Sequence, residues 1–281
     1  MAYRISGLGW LPDPPDFRDR RADQPPVQQV IEDNVRAMAE TIGTSLFRPN
    51  LQTLPASTDL RALCSPIENQ ETIGSCTAHS VVGLVEYMER SLRNEYLDAS
   101  RLFLYKVTRQ FLGWTGDTGA FVRSTIKALR LFGVPPEEYY PYDITRFDDD
   151  PNGFCFAFAG NYKALQYYRL CTLQELKESL AKGIPFAFGF SCFNSLFTDA
   201  VSNSGDIPFP ADSEQVSGGH AVMGVGYDDN AGKILIRNSW GTGWGQGGYG
   251  TLPYEYIERG LANDFWALAN LDFVQLTEGK Q

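Results

Sequence analysis

Four side chains, set far apart in the sequence, have the types needed for thiolate attack on a carbonyl carbon. Cys76 closes the run Asn69-Gln70-Glu71-Thr72-Ile73-Gly74-Ser75-Cys76, and His220 stands in Ser217-Gly218-Gly219-His220-Ala221-Val222. Asn238 begins Asn238-Ser239-Trp240-Gly241-Thr242-Gly243-Trp244-Gly245. A free cysteine thiol, with a pKa of about 8.5, is mostly protonated at neutral pH, so it needs an imidazole, a helix amino terminus or both to ionise it. His220 is the candidate base. Asn238 is the candidate acceptor that orients the imidazole through its second nitrogen without adding a charge. Gln70, six positions before Cys76, is the candidate side-chain donor to an oxyanion, beside the backbone N–H of Cys76.

Positioning these groups requires particular elements. Val81, Leu84, Val85, Met88 and Leu92 recur at helical spacing, which predicts a helix over Cys76–Arg93 with the thiol in its first turn, in the positive field of the helix dipole. Helices are also predicted over Ser100–Phe111 and Ala120–Phe132, the second closed by Gly133, and one is opened by the capping box Thr172-Leu173-Gln174-Glu175. Strands are predicted over Ile184–Phe190, His220–Tyr227, Lys233–Asn238, Gly248–Leu252 and Phe265–Leu271. The only other histidine, His79, lies on the apolar helix one turn after Cys76 and reads as a packing residue. The division expected is an amino-terminal segment 1–57, a helical lobe 58–155 carrying the thiol, and a β-rich lobe 156–281 carrying the imidazole and the amide.

These motifs resemble the papain-like cysteine peptidases, from about Thr58 to the end, and most closely around Gln70–Cys76 and His220–Gly250. Thr58-Asp59-Leu60-Arg61 resembles the start of the mature enzymes, and Gly133-Val134-Pro135-Pro136 with Tyr140-Pro141-Tyr142 resembles their mid-chain turn. The resemblance implies an α+β fold: a papain-like arrangement of two lobes, one helical and one an antiparallel β-barrel-like sheet, with the active-site cleft between them. It implies Cys76 as nucleophile, His220 as base and then acid, Asn238 as orienter and Gln70 as oxyanion donor. It also implies that Trp240 shields the Asn238–His220 bond, and that Gly119, in Gly116-Asp117-Thr118-Gly119-Ala120, pairs with the substrate backbone. Gly219, Ala221 and Trp240 join Gly119 as implied substrate-binding residues. The chain departs from the signature C-G-[SA]-C-[WY], reading Ile73-Gly74-Ser75-Cys76-Thr77, so one familiar disulfide is absent and one wall of the cleft is less bulky. His220 follows Cys76 by 220 − 76 = 144 positions, inside the family spacing of about 130–150, whereas Asn238 lies slightly beyond it. The pattern is similar to the bacterial branch of the family, where cystines are few.

Composition bounds the remaining possibilities. With 24 basic against 34 acidic residues the formal charge is −10, and without a basic run nucleic acid and anionic membranes are poor partners. No stretch is apolar enough to span a bilayer, and Met1–Trp10 lacks the apolar core of a secretory signal; a cytoplasmic place, or export by a route without a visible signal, is expected. Five cysteines, Cys64, Cys76, Cys155, Cys171 and Cys192, without Cys-x-x-Cys spacing, and two histidines argue against zinc. No metal and no cofactor are expected.

The function expected is hydrolysis of peptide bonds through a thioester intermediate, with polypeptide as substrate and endopeptidase action. Residues 1–57 are expected to act as an inhibitory segment: an amphipathic helix marked by Val27, Ile31, Val35, Met38, Ile42 and Leu46 docks on the enzyme, and the proline-rich stretch Leu11–Arg20 lies near Cys76. Removing the segment is expected to leave the thermal midpoint mostly intact. Two other readings use the same parts: a binding or regulatory protein whose cleft is permanently plugged, and an acyltransferase or exopeptidase using the same thiol.

Overall fold

The structure, a computed structural model, describes residues 7–43 and 53–273. Pro25 and Pro26 have the fixed φ of a first helical turn and open helix α1 (Pro25–Ile42). Its buried stripe comprises Val27, Ile31, Val35 and Met38, while Leu46, expected to extend that stripe, lies outside the described residues. A short strand β1 (Ser57–Asp59) leads to the helical lobe: α2 (Cys76–Arg93), α3 (Arg101–Phe111), α4 (Val122–Phe132) and the short α5 (Gly153–Ala159). Helix α2 ends where Asn94 turns into the left-handed region and returns its N–H to Arg90. Helix α3 starts where the Ser100 hydroxyl accepts the N–H of Phe103.

The chain then runs through β2 (Tyr162–Leu170), α6 (Leu173–Ala181), β3 (Phe186–Phe193), α7 (Asp199–Ser204), β4 (Val216–Asp228), β5 (Lys233–Arg237), β6 (Tyr249–Pro253), α8 (Glu255–Glu258) and β7 (Ala262–Phe273). At α6 the Thr172 hydroxyl caps Glu175, whose carboxylate reaches back to the N–H of Cys171, one residue earlier than in a standard capping box. All pairings are antiparallel, in the order β2-β7-β3-β4-β5-β6, with β1 added on β4.

Two strands lie outside the sequence expectation. β1 has only three residues and is fixed by its partner: Tyr227 donates its hydroxyl to the carbonyl of Pro55, and Asp229 N–H bonds Ala56. β2 shifts register against β7 around Gln166, which breaks the period-two alternation by which strands are read. The molecular core forms where α2, buried along nearly its whole length, packs against β4, α1, α3 and α4. The thiol at the start of α2 is therefore held against the strand that carries His220. All five cysteines are free thiols.

Candidate active site

Ser75 stands at the amino-terminal cap of α2, but its hydroxyl bonds Tyr142 Oη (2.7 Å) and approaches His79 Nδ1 instead of capping the helix. The backbone N–H groups of Ala221, Gly9, Thr77 and Cys76 lie close enough to the Cys76 sulfur to favour its thiolate. His220 sits on β4, opposite Phe190 of β3, and its Nε2 donates to Asn238 Oδ1 at 2.8 Å. Asn238 follows the end of β5 and is fixed by its own N–H to Gly248 O and by Ser239 N–H to its Oδ1. Trp240 lies nearly parallel to the imidazole, with centroids 4.5 Å apart, and covers that hydrogen bond from one face. His220 Nδ1 is buried and has no hydrogen-bond partner among the described residues.

Gln70 is wholly buried. Its Oε1 accepts the Ser239 hydroxyl (2.6 Å), and its backbone N–H bonds Ser239 O. That arrangement aims Nε2 outward, where it donates to the carbonyls of Gly7 (2.5 Å) and Ile73 (3.0 Å). The site residues expected from sequence are thus brought around one point, and that point is occupied by the chain itself. Residues 7–10 lie across it: Gly7 O on Gln70, Gly9 N–H on the sulfur, and Trp10 N–H on Gly219 O (3.0 Å). Ala120 donates to Gly9 O (2.8 Å) and accepts from Leu11 N–H (3.1 Å), so Trp10 bridges Ala120 in parallel.

This pairing bears on two expectations. Ala120, rather than Gly119, makes the backbone hydrogen bonds; Gly119 holds φ +70°, and a β-carbon there would overlap the Gly9 carbonyl. The stretch beside Cys76 is Gly7–Gly9, and the proline-rich run follows it. A β-carbon on Gly9 would overlap the Gly74 carbonyl, and proline lacks the N–H that faces sulfur. His79 turns to Ser75 O (3.1 Å) and meets the edge of Tyr142. The loop carrying Gly74 is tied to the 116–120 turn by Asp117, which accepts Gly74 N–H and the Tyr105 hydroxyl; Tyr105 in turn accepts Gly119 N–H. Sequence reasoning missed Asp117, Ser239 and Ala120 as site supports. Each lies within two positions of a residue already singled out, which was the available signal.

Burial sets the charge state. Covered by the segment, the Cys76 thiol is pushed up to about 11 by desolvation, against the four N–H groups that pull it down. Burial holds His220 down at about 4, with the Asn238 bond opposing. The depressed thiol pKa expected from the helix terminus and His220 is therefore absent while the cleft is covered: both groups are neutral.

Beyond Trp10 the segment is latched by charge. Asp13 N–H and the Trp10 indole N–H both donate to Asp264 Oδ2 (2.8 and 3.2 Å), while Asp13 accepts Trp266 Nε1 (2.9 Å). Arg123 bonds Asp19 (2.8 Å) and Pro14 O, and Arg169 bridges Asp264 and Asp19.

A helix-borne thiol beside a strand-borne imidazole, with an amide just past the next strand, between a helical and a sheet lobe, defines a papain-like cysteine peptidase. The chain belongs to that family: the model described as papain family cysteine protease matches residues 54–266. Among solved structures it is similar to xylellain, a cysteine protease from Xylella fastidiosa, with 35% identity, TM-score 0.76, and 94% of this chain and 96% of that chain covered. It is also similar to the Carica candamarcensis cysteine protease CMS1MS2 in complex with E-64, with 25% identity, TM-score 0.59, and coverage of 77% and 100%. Among curated proteins, the peptidase C1-like protein L477 of Acanthamoeba polyphaga mimivirus is 33% identical over 213 residues, 71% of this chain and 68% of that protein. Papain of Carica papaya is 26% identical over 207 residues, 72% of this chain but only 53% of the papain sequence. The α+β two-lobe fold, the hydrolase class and action on polypeptides stand on these findings together. No helix among the described residues is long and apolar enough to cross a membrane.

Proposed function

We propose that the protein is an endopeptidase whose own amino-terminal segment holds it inactive. In the open form Cys76 transfers its proton to His220 Nδ1 and attacks the substrate carbonyl. The oxyanion accepts hydrogen bonds from Gln70 Nε2 and the Cys76 backbone N–H. His220 then protonates the leaving amine, and water, deprotonated by His220, releases the acyl group. Asn238 holds the ring through Nε2, and Trp240 keeps water from that bond.

The observation that carries this reading is the occupancy of the cleft by Gly7–Trp10. The oxygen on Gln70 belongs to Gly7, whereas the N–H against sulfur belongs to Gly9, two residues on. The segment thus fills both the oxyanion position and the space beside the thiol, which supports a plug that keeps substrate out. Pro55 and Ala56 are already tied to the end of β4. The boundary between segment and enzyme therefore belongs upstream of residue 54, within the expected 1–57 stretch, followed by helical and β-rich lobes at 58–155 and 156–281.

The test compares intact protein with protein nicked once between residues 43 and 53, on an unfolded polypeptide, with a Cys76→Ser control. In dilute solution, where the cut piece dissociates, nicking should raise kcat/KM at least tenfold and the control should remain inactive. Nicked protein with Cys76 exposed to alkylation yet no cleavage of any substrate would favour the permanently plugged binding protein. Release of single terminal residues would favour an exopeptidase, and acyl transfer to an added amine in place of hydrolysis a transferase.

A further inference from the structure

His79, the histidine that the mechanism leaves unused, is buried one turn into α2, and Tyr142 closes the Tyr140-Pro141-Tyr142 run. Between them stands Ser75, at the cap position of α2, whose hydroxyl forgoes the capping bond that serine ordinarily makes there. Counting places the protons of this group. Tyr142 Oη lies 3.0 Å from the Gln70 carbonyl, which has no proton to give, so the single phenol proton goes to Gln70 O. The Ser75 hydroxyl, 2.7 Å from Tyr142 Oη, then donates to it. With that proton spent, Ser75 Oγ faces His79 Nδ1 as an acceptor at 3.3 Å, and the Ser75 carbonyl faces the same nitrogen at 3.1 Å. Nδ1 therefore carries the ring proton. Nε2, buried without a partner among the described residues, is the bare nitrogen. Burial keeps both the ring and the phenol neutral, which this count requires.

Every link points the same way, from His79 through Ser75 and Tyr142 to Gln70. Gln70 bears one oxyanion donor, Nε2, and Ser75 immediately precedes the other, the N–H of Cys76. One oxygen atom, Tyr142 Oη, thus ties together the two places from which the donors project. The intervening chain does not hold that spacing unaided: Glu71 sits at φ +55°, a conformation that a residue with a side chain keeps only when its surroundings hold it. Tyr142 is itself fixed, by its N–H on Glu137 Oε1 (2.5 Å) and by the His79 ring against it edge-on, with centroids 5.0 Å apart.

We propose that His79, Ser75 and Tyr142 are positioning residues for the reaction, a directed hydrogen-bond relay that sets the separation of the two oxyanion donors, with His79 as its fixed neutral origin. The proposal rests on the assignment of Gln70 Nε2 and the Cys76 N–H as those donors. The negative charge they meet develops only in the transition state, so misplacing one of them lowers turnover and leaves substrate binding nearly intact.

Two measurements test this. The first is nitrogen-15 NMR of histidine-labelled intact protein, which reads the relay without activity; the chain has two histidines, and His79→Asn protein assigns them. His79 should show the neutral ring protonated at Nδ1 near neutral pH. A ring protonated at Nε2, or an imidazolium, would reverse the first link and overturn the proposal. The second is the kcat and KM of protein nicked once between residues 43 and 53 and diluted until the cut piece dissociates. Tyr142→Phe, which keeps the ring against His79, should lower kcat about tenfold with KM within about twofold. In a Gln70→Ala background the same substitution should cost no more than about twofold, because the donor it positions is gone. His79→Leu should lower kcat about threefold or more, and His79→Asn, whose amide N–H can stand where Nδ1–H stood, should recover most of that loss. Tyr142→Phe acting equally with and without Gln70, a loss that falls on KM, or His79→Asn as impaired as His79→Leu would overturn the relay alone. Gln70→Ala with unaltered kcat would refute the assignment of Gln70 and the relay with it.

Discussion

At the scale of single residues, the thiol and imidazole are kept neutral by the same cover, so uncovering one changes both. The Cys76 pKa in the covered state is raised to about 11, so docking of the segment is stable below the thiol's uncovered pKa and weakens as pH rises from there through 11. Iodoacetamide labelling of intact protein, read at Cys76 by mass spectrometry, should therefore be slower near pH 7 than for an unstructured thiol. After nicking, the inflection should fall below about 8.5, and His220→Ala should push it up again. Gln70→Ala should lower kcat of the nicked enzyme about 10²–10³-fold with little change in KM, as loss of one oxyanion donor does. An unaltered kcat with chemistry rate-limiting would remove Gln70 from the mechanism. These four residues were legible because their types are dictated by the reaction and each sits in a distinctive run. Asp117, Ser239 and Asp264 were not, because an aspartate or serine that orients a neighbour by one hydrogen bond looks, in sequence, like any surface polar residue.

At the scale of elements, the bounds of α2 were readable from its apolar spacing, while β1 and β2 were set by partners distant in sequence. That the segment reaches the cleft was legible; its contact was not, since nothing local distinguishes a glycine that must slide under another carbonyl from one in a loop. Gly9→Ala tests that contact. The added methyl meets the Gly74 carbonyl, so Cys76 labelling should accelerate at least tenfold while the thermal midpoint moves little. Helix α1 is a different matter. It buries Val27, Ile31, Val35 and Met38, each contributing about 1.5–3 kcal/mol. Deleting residues 1–24 should activate the enzyme, whereas deleting 1–57 should also lower the melting temperature by several degrees or more. This prediction replaces the sequence-based expectation of an unchanged midpoint, because the stripe packs into the main core.

At the scale of the whole molecule, two groups respond to acid in opposite senses. Asp13 faces Asp264, Arg123 and Trp266, and burial with the neighbouring carboxylate raises it to about 6. It is more easily protonated when docked, so its contribution holds the segment more tightly below pH 4 and weakens as pH rises through 6. His220, packed against Asn238 and Trp240, is held down at about 4, so the covered state is favoured above pH 6.5 and loses that advantage as pH falls through 4. Between pH 4 and 6 the two offset each other, and release of the intact segment, followed by limited proteolysis, should vary little. Asp13→Asn should remove the larger opposing response and make release increase on acidification; a flat profile that persists in Asp13→Asn/Asp264→Asn would show that His220 stays neutral throughout.

On the proposed autoinhibition, the anchoring of α1 in the core, with residues 7–24 running from it across the cleft, also sets how inhibition scales. While the chain is continuous, the occupant of the cleft is present at a fixed effective concentration, in the millimolar range for a short tether, however dilute the protein. A competing peptide must approach that concentration relative to its own affinity before it displaces the segment, and activation by opening is first order in enzyme. One cut between residues 43 and 53 leaves α1 docked but makes the whole amino-terminal piece a separable ligand. From then on dilution alone drives activation, so a nicked sample inert at high concentration becomes active as it is diluted.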